Sequence, residues 1–143
     1  MKNEKVFYIF SISFILSLIY WRLRVFWFYN NGRLPNLRAL TGLKIHHYHY
    51  GLLLLTIAII LLLFLRKNNL SVLLAGFGLG SVLDSLISGM FKSTTRAQEI
   101  ANYQNNLPYT IILFIMIIFI SFIFYIIGRE NDRKRIRRLK KIK

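Results

Sequence analysis

Four apolar segments limit what this chain can fold into more than any other feature. They cover residues 6–21, 45–65, 70–91 and 109–127 of the 143-residue sequence. An α-helix rises about 1.5 Å per residue, so about 20 apolar residues cross roughly 30 Å of hydrocarbon. The mean hydropathy of +0.47 also places the chain among membrane proteins. The sequence predicts an all-α integral membrane bundle of four transmembrane helices over residues 1–128, followed by a basic tail at 129–143.

Basic residues are distributed unevenly between the two sides of such a bundle. With the N-terminus inside, most of the 20 lysines and arginines fall on the cytoplasmic side, in the N-terminal residues, the 66–67 corner and the tail. The outer side holds a smaller set: Arg22, Arg24, Arg33, Arg38, Lys44, Lys92 and Arg96. Because basic residues concentrate in cytoplasmic loops, both termini are predicted to be cytoplasmic, in the membrane of a cell or host cell.

The basic tail explains much of the formal charge of +15. Ile136, Leu139 and Ile142 recur every three residues in it, which is typical of an amphipathic helix on an anionic membrane surface. We therefore assign the charge to lipid rather than to nucleic acid. The predicted membrane-surface residues are Arg133, Lys134, Arg135, Arg137, Arg138, Lys140 and Lys141.

Imidazole and carboxylate groups occur at membrane depth in two neighbouring segments. His46, His47 and His49 open the second segment, and Asp84 lies inside the third. The short polar corner at 66–69 makes these two helices antiparallel neighbours, so Asp84 returns to the level of the histidines. Ionisable groups at this depth face the bundle interior, pair, or bind a ligand.

Three interpretations of this cluster follow from the residues. In the first, Asp84 pairs structurally with a histidine or with Arg22 or Arg24, since an unpaired buried carboxylate is costly. In the second, His46, His49 and Asp84, with His47 as the alternative imidazole, bind one divalent transition metal. In the third, the cluster relays a proton or a substrate.

Few residues suggest catalysis. Glu99 is a candidate general base, because its loop is expected on the same side as the histidines. The absence of cysteine excludes thiolate nucleophiles, disulfides and cysteine-ligated metals.

Small residues form a stripe along the third segment. Gly76, Gly80, Asp84 and Ser88 follow each other at intervals of four, so they share one helix face. Small residues allow close approach of helix backbones. We predict that Gly76, Gly80 and Ser88 pack against the second helix.

A short helix is predicted between the third and fourth segments. Thr95 and Gln98 have the spacing of a helix N-terminal capping motif, and the surrounding residues are polar.

Two stretches, Leu-Lys-Ile-His-His-Tyr-His-Tyr-Gly at 43–51 and Gly-Phe-Gly-Leu-Gly-Ser-Val-Leu-Asp at 76–84, resemble a group of small prokaryotic integral membrane proteins. That group carries an Ile-His-His helix start and a Gly-rich helix ending in Leu-Asp-Glu. The resemblance carries over His46, His47, Gly51 and Asp84, whereas Ser85 stands where the group commonly has glutamate. It implies the membrane architecture and the paired His/Asp helices, and no reaction. The Ile-, Lys- and Asn-rich composition also resembles proteins of thermophilic archaea and their viruses.

These observations favour a non-catalytic membrane protein, either a structural component or an accessory subunit of a larger complex or homo-oligomer. The alternatives are a metal-dependent membrane enzyme acting on a lipid or small molecule, and a proton or ion pathway through Asp84.

Overall fold

The described part of the chain is helical. The computed structural model describes residues 3–31, 47–65, 68–90 and 95–141, and within these ranges it contains no strand. The helices are α1 (Asn3–Asn31), α2 (His47–Phe64), α3 (Asn69–Gly89), α4 (Arg96–Asn105) and α5 (Leu107–Lys141). The predicted all-α class is confirmed.

Four of these helices are long and apolar enough to cross a membrane. Within the described ranges the candidate spans are Asn3–Trp27, His47–Phe64, Asn69–Gly89 and Leu107–Lys134. Most of α2 and α5 is exposed, whereas α3 is the most buried span. Large apolar side chains therefore cover the outside of the bundle, opposite to the arrangement in a water-soluble protein.

Helix α3 lies at the centre, between α1 and α2. Its contacts with α1 advance in the same chain direction, from Gly76 beside Phe10 to Gly80 beside Phe14, so these two helices are parallel. Its contacts with α2 run in opposite directions, as the corner at 66–69 predicted. Helix α5 packs antiparallel to α1. Phe14 stacks on Phe114 with ring centroids 4.2 Å apart, and Phe7 stacks on Tyr125 with centroids 5.3 Å apart.

The predicted packing partner of the glycine stripe is wrong. A Cβ on Gly76 would lie 2.6 Å from the Phe10 carbonyl oxygen, and one on Gly80 would lie 2.9 Å from the Phe14 carbonyl oxygen. Both oxygens belong to α1, not α2. Ser88 is only half-buried and donates to the Ser85 carbonyl of its own helix at 2.8 Å.

Gly78, on the opposite face of α3, contacts α2 instead. A Cβ there would lie 2.9 Å from the Gly51 carbonyl oxygen, and a Cβ on Gly51 would lie 2.7 Å from the Gly78 carbonyl oxygen. Since two residues advance a helix by about 200°, Gly78 faces away from Gly76 and Gly80. The alternating glycines allow α3 to approach two helices closely at once.

Helix boundaries follow local capping. Asn68 caps α3 by accepting from the Ser71 amide at 2.7 Å, and Thr95 caps α4 by accepting from the Gln98 amide at 3.3 Å. The short helix predicted after residue 95 is therefore confirmed.

Two helices continue beyond the predicted apolar segments. Helix α1 extends past Trp21 to Asn31, and α5 runs without a break past Gly128 to Lys141. The described part of the basic tail, 129–141, is the C-terminal part of α5 rather than a separate helix, because the helix continues through Gly128 although glycine is common at helix ends.

Candidate functional site

The site is built around Asp84, which is 0% exposed on the face of α3 that meets α1. Arg22, from the extension of α1, donates from Nε and Nη2 to Asp84 Oδ1 at 3.0 and 2.7 Å. The Arg22 side chain is 15% exposed. The two helices are parallel, so a residue near the end of α1 meets one near the end of α3. This ion pair is the strongest electrostatic contact of the site.

The second carboxylate oxygen, Oδ2, faces α2 and α4. It accepts a short hydrogen bond from the Tyr103 hydroxyl of α4. His47 Nε2, at the start of α2, lies 3.3 Å from the same oxygen. This contact is not a hydrogen bond, and the buried nitrogen has no hydrogen-bond partner among the described residues. Both carboxylate oxygens are thus engaged.

Tyr103 is held in its neutral form. Burial, followed by the charge of the Asp84 carboxylate and the hydrogen bond to it, raises the pKa of Tyr103 well above its ordinary range, and Arg22 opposes this rise only partly. The neutral phenol therefore donates a hydrogen bond to the Asp84 carboxylate and is not an anion.

Arg22 links the site to the remaining helices. Its Nη1 donates to the Tyr103 backbone carbonyl, and its Nη2 donates to Thr110 Oγ1 of α5 at 2.9 Å. The guanidinium carbon also lies 3.9 Å from the centre of the Tyr103 ring. One arginine thus contacts α3, α4 and α5, and its cation is neutralised by a carboxylate within hydrogen-bonding distance.

Trp21 covers this network on the side of α2. Its indole Nε1 donates to Ser81 Oγ at 2.8 Å. Its ring stacks on His47, with centroids 5.0 Å apart. Trp21 itself is buried, with 6% of its surface exposed.

The predicted residues are brought together only in part. Of the two described imidazoles, His47 lies against Asp84, whereas His49 is exposed and its ring stacks on Tyr48 at 3.8 Å. His46 and the side chain of Glu99 lie outside the described residues. No group of three or more His, Asp or Glu side chains converges within the described ranges. The metal set of His46, His49 and Asp84 and the base role of Glu99 remain predictions.

Two members of the network, Tyr103 and Thr110, were not anticipated. The sequence does contain a signal for the contact between α1 and α3, because Ser13, Ser17 and Trp21 repeat every four residues, as do Gly76, Gly80 and Asp84. Matching repeats on two helices predict a shared interface. Nothing comparable marks the α4 and α5 residues, whose position depends on how the chain turns after α3.

The sequence matches no protein-family model, no curated protein and no solved structure.

Proposed function

We propose that this chain is a multi-pass membrane protein with a structural or accessory role, and that the Asp84–Arg22 network fastens its helices at one end of the bundle. The observation that carries the proposal is the complete burial of Asp84 with both carboxylate oxygens engaged. A catalytic or transport carboxylate needs an open side toward its substrate. This one is surrounded by side chains from three other helices, Arg22 of α1, His47 of α2 and Tyr103 of α4.

The surroundings of the bundle agree with this role. Apolar side chains on its outside suit lipid, which leaves little hydrophobic driving force between helices. Polar contacts and close backbone packing then hold the helices together. In this setting a neutralised Arg–Asp pair, hydrogen-bonded to α4 and α5, can specify which helices meet.

The charge distribution supports a cytoplasmic location for both termini of the chain. Helices α1 and α5 are antiparallel, and α2 and α3 add one hairpin, so the start of α1 and the end of α5 share a side. That side carries most of the basic residues. The Asp84 network then lies in the outer half of the membrane, and Arg133 and Lys134 lie near the anionic inner surface. An accessory subunit of a larger complex or a homo-oligomer fits this form.

A double-mutant cycle tests the structural role. In detergent, we expect Asp84→Asn to lower the free energy of unfolding by about 3 kcal/mol, because Arg22 is left as an uncompensated buried charge. Arg22→Gln has a similar cost, and the double variant loses less than the sum, with a coupling of about 1–3 kcal/mol.

Asp132→Asn is the matched control, because Asp132 is an exposed carboxylate whose Oδ2 accepts from Asn3 at 2.8 Å. It should change the free energy of unfolding by less than about 0.5 kcal/mol. If Asp84→Asn does not fold, Arg22→Lys gives a graded perturbation of the same pair. An Asp84→Asn variant as stable as the wild type, as expected of a carboxylate retained for chemistry, contradicts the proposal.

The second candidate function is a proton pathway through Asp84. One observation favours it: His47 Nε2 is buried without a hydrogen bond among the described residues, 3.3 Å from the carboxylate. In proteoliposomes with a pH-sensitive dye, a pathway predicts proton flux that is lost in His47→Gln while the unfolding midpoint is retained. Absence of flux in the wild type removes this candidate.

A further inference from the structure

The C-terminal part of α5 carries a dense positive charge. We call residues 133–141 the basic stalk. Its nine residues include seven cations and two apolar side chains, Ile136 and Leu139, and the cations are Arg133, Lys134, Arg135, Arg137, Arg138, Lys140 and Lys141. The nearest acidic residues, Glu130 and Asp132, both precede it. The stalk contains no internal counter-charge.

The length of α5 places the end of the stalk away from the membrane. The helix has 35 residues, or about 52 Å at 1.5 Å per residue. Its apolar part, 107–127, uses roughly 32 Å, which matches the hydrocarbon thickness of about 30 Å. Allowing about 6 Å for headgroups, residues 137–141 lie roughly 9–15 Å beyond the lipid surface. This distance exceeds the screening length of about 8 Å at physiological salt.

Contacts at the base of the stalk keep it in line with the span. Asn3 Nδ2 of α1 donates to Asp132 Oδ2 at 2.8 Å. A Cβ on Gly128 would lie 3.1 Å from the same Asn3 side chain. The start of α1 therefore packs along α5 at the level where the apolar part ends. A helix braced there continues outward instead of bending onto the lipid surface.

We propose that the distal cations of the stalk, Arg137, Arg138, Lys140 and Lys141, bind the phosphate backbone of a double-stranded nucleic acid at the cytoplasmic face. This inference rests on the proposed insertion of α5 in the membrane. The stalk has one positive charge per roughly 2 Å of helix axis, close to the one negative charge per about 1.7 Å of a DNA duplex. The membrane-surface assignment then applies to the proximal residues Arg133 and Lys134.

The proposed contacts are with phosphates, so we expect binding without sequence preference. The uncharged side chains of the stalk, Ile136 and Leu139, cannot hydrogen-bond to base edges. Lysine and arginine contacts to phosphates fix position and carry affinity, but they carry no sequence information. The chain would tether nucleic acid to the membrane rather than recognise a particular site.

The experiment uses the full chain in nanodiscs of phosphatidylcholine only. Fluorescein-labelled 20-base-pair DNA duplexes of two unrelated sequences are titrated at several NaCl concentrations. We expect equal affinity for both duplexes and a steep salt dependence. The variant Arg137→Gln/Arg138→Gln/Lys140→Gln/Lys141→Gln should reduce the slope of log K against log salt by about 3.6, because each phosphate that a cation neutralises adds about 0.9 to that slope.

A matched variant, Lys2→Gln/Lys5→Gln/Arg66→Gln/Lys67→Gln, has the same net charge and should bind within about two-fold of the wild type, since its changes lie outside the stalk.

An equal reduction of affinity in both variants, or no binding by the wild type, overturns the proposal. So does tighter binding of polyglutamate than of duplex at equal salt, which indicates an acidic protein partner. Complete loss of duplex binding in discs containing phosphatidylserine assigns the stalk to lipid and also overturns it. Incorporation into the discs is scored separately by size-exclusion chromatography, so a failure of membrane insertion is distinguished from a failure of binding.

Discussion

At the scale of single residues, the energetics of the site depend on how many donors surround the Asp84 carboxylate. Arg22 supplies two donors to one oxygen, and Tyr103 supplies one to the other. A buried ion pair gains little over apolar packing, but removal of one partner is strongly destabilising. The network therefore contributes more to specifying the arrangement of the helices than to the total free energy of folding.

Removing the Tyr103 hydroxyl tests the contribution of the neutral donor. We expect Tyr103→Phe to lower the free energy of unfolding by about 1–3 kcal/mol, because Asp84 Oδ2 loses its hydrogen bond inside the protein. Tyr109→Phe is the control, since Tyr109 is 62% exposed. Denaturant titration in detergent gives both values, and equal values for the two variants contradict the proposed role of the hydroxyl.

The raised pKa of Tyr103 predicts a loss of stability at alkaline pH. The phenol ionises near pH 10 in the unfolded chain and only at higher pH in the folded protein. Its contribution is therefore complete below pH 10 and decreases as pH rises above that value, because only the unfolded state releases the proton. Between pH 8 and pH 11, the unfolding midpoint should fall more in the wild type than in Tyr103→Phe. A parallel fall in both proteins contradicts this assignment.

At the scale of elements, α3 determines the arrangement because it packs closely on two opposite faces. Gly76 and Gly80 lie against α1, and Gly78 lies against Gly51 of α2. The sequence shows that these residues are small and periodic. It does not show which neighbour each face meets, because both α1 and α2 present small residues and the glycines alternate between the two faces.

Adding a methyl group at one glycine should separate α1 from α3. The Cβ of Gly80→Ala would meet Ser17 Oγ and lie 2.9 Å from the Phe14 carbonyl oxygen, so backbone must shift. We expect a loss of about 1–3 kcal/mol from overpacking.

Gly89→Ala is the control for this change. A Cβ at Gly89 meets nothing within 4 Å, so this variant should stay within about 0.5 kcal/mol of the wild type. Thermal unfolding in detergent compares the two variants, and equal midpoints are inconsistent with the close α1–α3 packing.

At the scale of the whole molecule, the four candidate spans place the Asp84 network at the end opposite to the start of α1. The natural absence of cysteine makes this arrangement directly measurable, since any introduced cysteine is the only one.

Single-cysteine labelling tests the proposed orientation. Gln104 on α4 and Asn131 on α5 are both exposed and lie toward opposite ends of the bundle. A membrane-impermeant maleimide should label Gln104→Cys in intact cells and Asn131→Cys only after permeabilisation, as the charge distribution requires. The reverse pattern contradicts the orientation, and labelling of both in intact cells contradicts the spanning topology.

The sequence by itself determined the helical class, the four candidate spans, the antiparallel α2–α3 pair and the need of Asp84 for a partner. These properties depend on local composition and on short connections. Only the tertiary structure decided that Arg22 is the main partner, that Tyr103 and Thr110 complete the network, and that the Gly76–Gly80 face meets α1. Those contacts join residues 19 to 88 positions apart, and several helix rotations satisfy the same local patterns. The rotation is selected only when close packing of α3 and the hydrogen bonds of a buried charge are satisfied together.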